Sequence, residues 1–309
     1  MKQTIIFICL INFQFVFGQQ QTVDPTTFDY SKADSIALNL PKKKYKSVWE
    51  LVSPLTRDLQ SDHEKFRVLF RWITDNIAYN HRYKSNNADK VLKSKKAVCG
   101  GYSTLLSEMC NSAGIDCEII VGYSKTSIND INKNFQKPNH AWNAVKLYDK
   151  WYLLDVTWAT SYYDLKKKKI IKSFNELYYL TPPEIFVKNH FPKKKEWQLL
   201  DKPVGKPEFR KSHIYYTGFF DNHLTDLQPE KGIIKIRLKD TLEIKFKSDY
   251  EIKNAIIELG NEQFIYKPKI EQKDSAYFIK QKFEKSGLYE LTLFLNRKSV
   301  AAYRLEVRE

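Results

Sequence analysis

Apolar residues follow two rhythms along this chain of 309 residues, and the change falls near residue 205. Before it they recur every three or four positions, as in helices buried along one face. That spacing predicts helices over residues 32–40 and 47–60, the second containing Pro54. A better-marked helix follows. Ser61-Asp62-His63-Glu64 has the form of a capping box, and Phe66, Leu69, Phe70, Ile73 and Ile77 make its buried stripe. His63 reads as an exposed neighbour of that cap. A short helix over 88–95 leads to another with Tyr102, Leu105, Leu106, Met109 and Ala113 on its apolar face and Gly114 suited to a left-handed end. Cys99 therefore opens a helix. Stretches rich in β-formers follow at 117–123, 140–147 and 151–157. The last two read as a hairpin turning at Asp149-Lys150, and the polar stretch 124–138 as a mobile lid.

Residues 201–207 hold two prolines and a glycine and read as a linker. Beyond them the period becomes two. Seven short strands are predicted at 233–238, 242–246, 252–259, 264–270, 276–283, 288–295 and 300–307, with turns such as Lys239-Asp240 and Asn296-Arg297 between them. This is the pattern of an immunoglobulin-like β-sandwich without a core disulfide. The expected organisation is an α+β domain over 19–202 followed by an all-β domain over 208–309. Residues 1–18 stand apart: Lys2 precedes an apolar run from Thr4 to Phe17, which reads as a signal peptide and implies a secreted or periplasmic protein. That run is too short and too interrupted to span a membrane, and no later one is long enough, so no transmembrane segment is expected in the mature chain.

Charge adds a constraint on partners. With 51 basic and 36 acidic residues the formal net charge is +15, which favours anionic surfaces such as cell-wall or other surface polymers. Export and the lack of a recognition motif argue against nucleic acid. Cysteine usage is sparse: Cys9 lies in the leader, and Cys99, Cys110 and Cys117 remain. An odd number leaves at least one thiol free. Cys110 and Cys117 read as small buried residues rather than a disulfide. Their spacing fits no zinc pattern, and the chain shows no HExxH, calcium loop or phosphate-binding glycine loop, so no metal or cofactor is expected.

The candidate chemistry lies in Val98-Cys99-Gly100-Gly101-Tyr102, Asn139-His140-Ala141-Trp142-Asn143 and Leu154-Asp155-Val156-Thr157-Trp158. A thiol at a helix N-terminus, followed by a histidine and an aspartate on successive strands, is what acyl transfer through a cysteine needs. The helix end and an imidazolium lower the thiol pKa, the histidine takes the proton and the aspartate orients the imidazole. Gly100 and Gly101 read as leaving room for a substrate backbone beside the sulfur. A two-residue turn at 149–150 would set position 140 opposite 159 and leave Asp155 on the same face but four residues short, so a bulge or longer turn is needed to close the gap. Trp142 and Trp158 read as packing residues, as do His213 and His223.

In their order and spacing these segments resemble the transglutaminase-like superfamily, whose core is related to papain-like cysteine proteases, and its kyphoscoliosis-peptidase-like branch in particular. The resemblance extends through Val121-Gly122-Tyr123-Ser124-Lys125, Tyr179-Leu180-Thr181-Pro182-Pro183, His190-Phe191-Pro192 and Trp197-Gln198-Leu199-Leu200, and covers residues 48–200. It implies a papain-like/transglutaminase-like core with Cys99 as nucleophile, His140 as base and Asp155 as orienting acid. It also implies a second oxyanion donor beside the Cys99 N–H, for which Tyr79 is the candidate. The expected function is an exported thiol-dependent amide-bond enzyme, a peptidase or amidase or a transglutaminase-type acyltransferase, acting on a protein or peptide substrate. The alternative is an inactive binding or scaffold protein that keeps the cleft.

Overall fold

Helix α3 (Asp62–Asn76) shows how the first half folds. Glu64 reaches back to the Ser61 N–H at 3.4 Å and to its hydroxyl at 2.6 Å, which closes the first turn. The stripe Phe66, Leu69, Phe70, Ile73 and Ile77 is fully buried. Around it pack α1 (Ser31–Asn39), α2 (Val48–Thr56), α4 (Ala88–Ser94) and α5 (Cys99–Ser112). Arg67 breaks the apolar pattern of α3 yet is buried as well. Its guanidinium binds the Asp34 carboxylate at 2.6 and 2.8 Å, pairs with Glu176, and lies over the rings of Tyr30, Phe174 and Tyr179. The chain is a computed structural model that describes residue 24 and residues 27–164, 169–260 and 263–309. The leader read at residues 1–18 lies outside the described residues.

Strands β1 (Ala78–Tyr79) and β2 (Lys96–Ala97) pair in parallel next to the start of α5. The main sheet of this half combines β3 (Cys117–Ser124), β4 (His140–Leu147), β5 (Lys150–Leu154) and, beyond a small hairpin of β6 (Ser161–Asp164) with β7 (Lys169–Lys172), β8 (His190–Pro192). Its order is β5-β4-β3-β8, all antiparallel. Alternation along β4 divides the two faces: Val145 and Leu147 join the helical core, while Trp142 and Ala144 pack with Ile120, Leu153 and Phe186 on the other side. The hairpin turns at Tyr148-Asp149, both with positive φ, two residues off the predicted register, and Asn143 pairs with Leu154. β5 ends at Leu154 rather than Thr157, and a short helix α6 (Val156–Thr160) follows directly.

The last hundred residues form the expected sandwich. One sheet holds β10 (Leu224–Gln228), β12 (Leu242–Ser248), β16 (Ala276–Gln281) and β15 (Ile270–Lys273). The other runs β11 (Ile233–Arg237), β18 (Lys298–Arg308), β17 (Gly287–Leu295), β13 (Ala255–Leu259) and β14 (Phe264–Tyr266), with β9 (Ile214–Tyr215) also on β18. Inward residues such as Ile244, Phe246, Ile257, Ile279, Leu291 and Tyr303 fill the space between the sheets. The run read as one strand over 264–270 is two, β14 and β15, because the chain crosses there from one sheet to the other. The fold is thus α+β, a papain-like/transglutaminase-like core followed by an all-β immunoglobulin-like sandwich. Among the described residues no helix is long and apolar enough to cross a membrane.

The stretch read as a lid is bound down instead. Ile128 and Ile131 pack against Ile214 and Ala302 of the sandwich side, and Phe135 packs with Tyr123 and Phe209. The Asn132 N–H donates to the Arg210 carbonyl at 2.7 Å. Lys125 is 1% exposed, and its ammonium donates to the Ser212 hydroxyl at 2.6 Å and to the carbonyls of His213 and Ser212 at 2.8 and 3.1 Å. The segment looks polar in sequence because its few apolar residues are irregularly spaced, but each is used. The stretch read as a linker also acquires order, since a helix begins at Lys206.

Candidate active site

Cys99 is the first residue of α5. No side chain on Val98 caps the first N–H groups, and the positive end of the helix dipole lies at Cys99. The two glycines after it are also closely packed. A Cβ on Gly100 would stand 2.6 Å from the Asn86 side-chain oxygen, and one on Gly101 would stand 2.7 Å from the Ser85 carbonyl. The 85–86 loop thus packs closely against both glycines.

His140 opens β4 and is buried. Its Nε2 lies 2.6 Å from Asp155 Oδ2. Asp155 reaches it from the N-cap of α6, not from a strand: its Oδ1 accepts the N–H groups of Thr157 at 2.9 Å and Trp158 at 3.1 Å. This placement closes the gap that the predicted hairpin register left, with no bulge. The structure thus joins His140 to Asp155, and Cys99 lies near enough to His140 for the two to influence each other's charge.

The charges follow from these contacts. Burial pushes the Cys99 thiol up, but the hydrogen bond and charge of His140 and the Ala141 N–H outweigh it, so the thiol lies below its ordinary value. Burial disfavours the charged imidazole of His140, yet the Asp155 carboxylate and the Cys99 sulfur on either side raise its pKa to about 10. Burial likewise opposes the charge of Asp155, but His140 and His190 hold the carboxylate far below the usual range. These shifts all favour charge separation across the cluster, a thiolate beside an imidazolium beside a carboxylate. The Tyr79 phenol is half-buried, and its pKa is raised by burial and by the nearby Cys99 charge.

One group in this cluster is marked in the sequence only as part of the segment His190-Phe191-Pro192, with no role read for it. His190, 1% exposed, points its Nε2 at the same Asp155 oxygen, at 3.0 Å. The ligand atoms of His140, Asp155 and His190 lie within 4.8 Å of one another, close enough to share a metal ion. The spacings are nevertheless those of hydrogen bonds, and the two carboxylate oxygens already take four donors, so the trio is complete as a polar network. Cys110 and Cys117 are buried and free, as their apolar reading predicts.

Residues 50–156 match the family description "Transglutaminase-like superfamily". Among curated proteins, kyphoscoliosis peptidase of Mus musculus is 34% identical over 213 residues, which cover 67% of this chain and 32% of that protein. The Homo sapiens kyphoscoliosis peptidase is 34% identical over 193 residues, covering 60% of this chain and 29% of that protein. Cytokinesis protein 3 of Saccharomyces cerevisiae is 24% identical over 217 residues, 68% of this chain and 23% of that protein. The chain therefore spans about a third or less of the length of these relatives. They correct the expected location. A relative named for cytokinesis, a process carried out inside the dividing cell, speaks against a secreted or periplasmic protein. Taken with the joined Cys99, His140 and Asp155, the family match and the 34% identity mean that the chain belongs, through its first half, to the transglutaminase-like superfamily and is similar there to the kyphoscoliosis peptidases.

Proposed function

We propose that the protein is a thiol-dependent amide-bond enzyme acting on a protein or peptide, with Cys99 as nucleophile, His140 as proton carrier and Asp155 as orienting acid. The observation that carries this reading is the buried His140–Asp155 hydrogen bond of 2.6 Å, made by an imidazole whose charge is also favoured by the neighbouring Cys99 sulfur. The Cys99 thiolate attacks the amide carbonyl carbon, and the oxyanion faces the Cys99 N–H and the Tyr79 hydroxyl. His140 then gives its proton to the departing nitrogen, which leaves an acyl-enzyme thioester. Water or a primary amine, deprotonated by the now neutral His140, attacks the thioester and restores the thiolate and imidazolium. Asp155 keeps its charge throughout and holds the ring in the tautomer that transfers the proton.

Incubating the protein with a glutamine-rich protein, with and without a fluorescent primary amine, separates the outcomes. Incorporated fluorescence marks acyl transfer, and new fragments mark hydrolysis. Either must vanish in Cys99→Ala and fall by about 10⁴ in Asp155→Asn. If neither product forms while Cys99 remains alkylatable, the fold serves binding rather than catalysis.

A further inference from the structure

Two imidazoles, not one, meet the Asp155 carboxylate. His140 donates to Oδ2 from 2.6 Å and His190 from 3.0 Å, whereas Oδ1 is filled by backbone N–H groups. His190 has no part in the acyl transfer above, yet it is almost completely buried. Its ring is held on several sides: stacked on Phe186 at 4.1 Å, tilted against Trp158 at 4.4 Å and edge-on to Trp142 at 5.2 Å. The backbone repeats the arrangement. β3 lies between the two strands that begin with these histidines, with His140 opposite Gly122 and His190 opposite Ser124.

We propose that His190 is a positioning residue, whose Nε2–H, donated to Asp155 Oδ2, fixes the carboxylate in the orientation that holds His140 against Cys99. The inference rests on the reading of Cys99, His140 and Asp155 as a working triad. An aspartate turns about two side-chain bonds, and the α6 N-cap secures only Oδ1. A lateral donor is what prevents Oδ2 from swinging away from His140. The donor must also be uncharged, because a second cation would compete with the imidazolium for the one negative charge. Burial meets that need, holding the His190 pKa below the ordinary histidine value against the pull of Asp155, with the charge of His140 adding to the effect and the Phe186 carbonyl opposing it. The other titratable groups facing the cluster are the Tyr178 phenol near Asp155 and the Tyr79 phenol near Cys99.

The test is the pH profile of Cys99 alkylation by iodoacetamide, followed peptide by peptide in the full chain. His190→Phe keeps a ring in the aromatic stack and removes the donor. It should raise the midpoint by about one pH unit, equivalent to about tenfold slower labelling near pH 6. His190→Gln, whose amide nitrogen reaches the position of Nε2, should return the midpoint to within a few tenths of a unit of the wild type. A His190→Phe profile superimposed on the wild type, or a His190→Gln profile shifted as far as that of His190→Phe, overturns the donor role. Asp155→Asn separates the two levels of the argument: if it also leaves the profile unmoved, the triad reading itself fails and the role of His190 falls with it. Nitrogen-15 spectra of the wild-type imidazoles need no variant to fold. Nε2 of His190 should carry a proton, and a bare Nε2 overturns the proposal.

Discussion

Three thiols in one chain meet different surroundings, and their reactivity should divide accordingly. Cys99 is half-buried at a helix N-terminus beside an imidazolium, with its thiol held below the ordinary value by His140 against burial. Cys110 is wholly buried, and burial with its neighbour Cys117 pushes that thiol well up. A lowered thiol pKa means that the thiolate persists as pH falls, down to the folded-state value. Iodoacetamide should therefore label Cys99 at an appreciable rate near pH 6, while Cys110 and Cys117 react only after unfolding. Peptide mass spectrometry reads this directly, and faster labelling of Cys110 or Cys117 in the folded protein would refute it. At this scale Cys99, His140 and Asp155 are legible in the sequence because each sits in a distinctive local setting and in the right order. The role of His190 is not, although its segment is marked there, since what defines it is a partner 35 residues away. The close packing at Gly100 and Gly101 was likewise hidden, because the Asn86 and Ser85 atoms near them come from a separate loop.

At the scale of elements the site depends on how closely β3, β4 and β8 approach. Gly122 governs that approach: a Cβ there would lie 2.4 Å from the Phe191 carbonyl and 2.5 Å from the Trp142 ring. Gly122→Ala must separate the two histidine strands or displace Trp142, so it should cost about 1–3 kcal/mol of stability. Because the same movement pulls His190 and His140 apart, Cys99 alkylation near pH 6 should slow as well. Urea unfolding and the alkylation profile check the two effects, and an unchanged value of both would show that the strands have slack. Most of the helices read in the sequence were placed to within a residue or two because stripe and caps are local, but α2 stops at Thr56, four residues before the predicted end. The hairpin register was not, because Tyr148-Asp149 and Asp149-Lys150 are equally good two-residue turns and only the packing of both sheet faces chooses between them.

For the whole molecule the open question is how independent the two halves are. Each has its own large apolar core, yet Lys125, Ile128, Ile131 and Phe135 find their partners at or beyond Phe209, and Asn189 donates to the Tyr215 carbonyl at 2.7 Å. We propose that residues 19–202 and 208–309 are separate folding units joined by a working interface. A fragment of residues 24–202 should then fold but melt lower than the full chain, and its 125–135 segment should become the first site of proteolysis. A fragment that fails to fold would make the sandwich part of the first half's core. A fragment as stable as the full chain, with 125–135 still protected, would deny the interface any role.

The sequence by itself determined the periods, the caps and the order of chemical residue types, and with them the helical half, the β half and the candidacy of Cys99, His140 and Asp155. These are readable because each depends on neighbours within a few positions of the chain. Only the tertiary structure decided that Asp155 acts from a helix cap, that His190 shares its carboxylate, that Arg67 is buried between Asp34 and Glu176, and that residues 124–135 bind across to the sandwich. Each is a contact between residues far apart in sequence, made favourable by burial that removes water from polar groups and leaves them only one another.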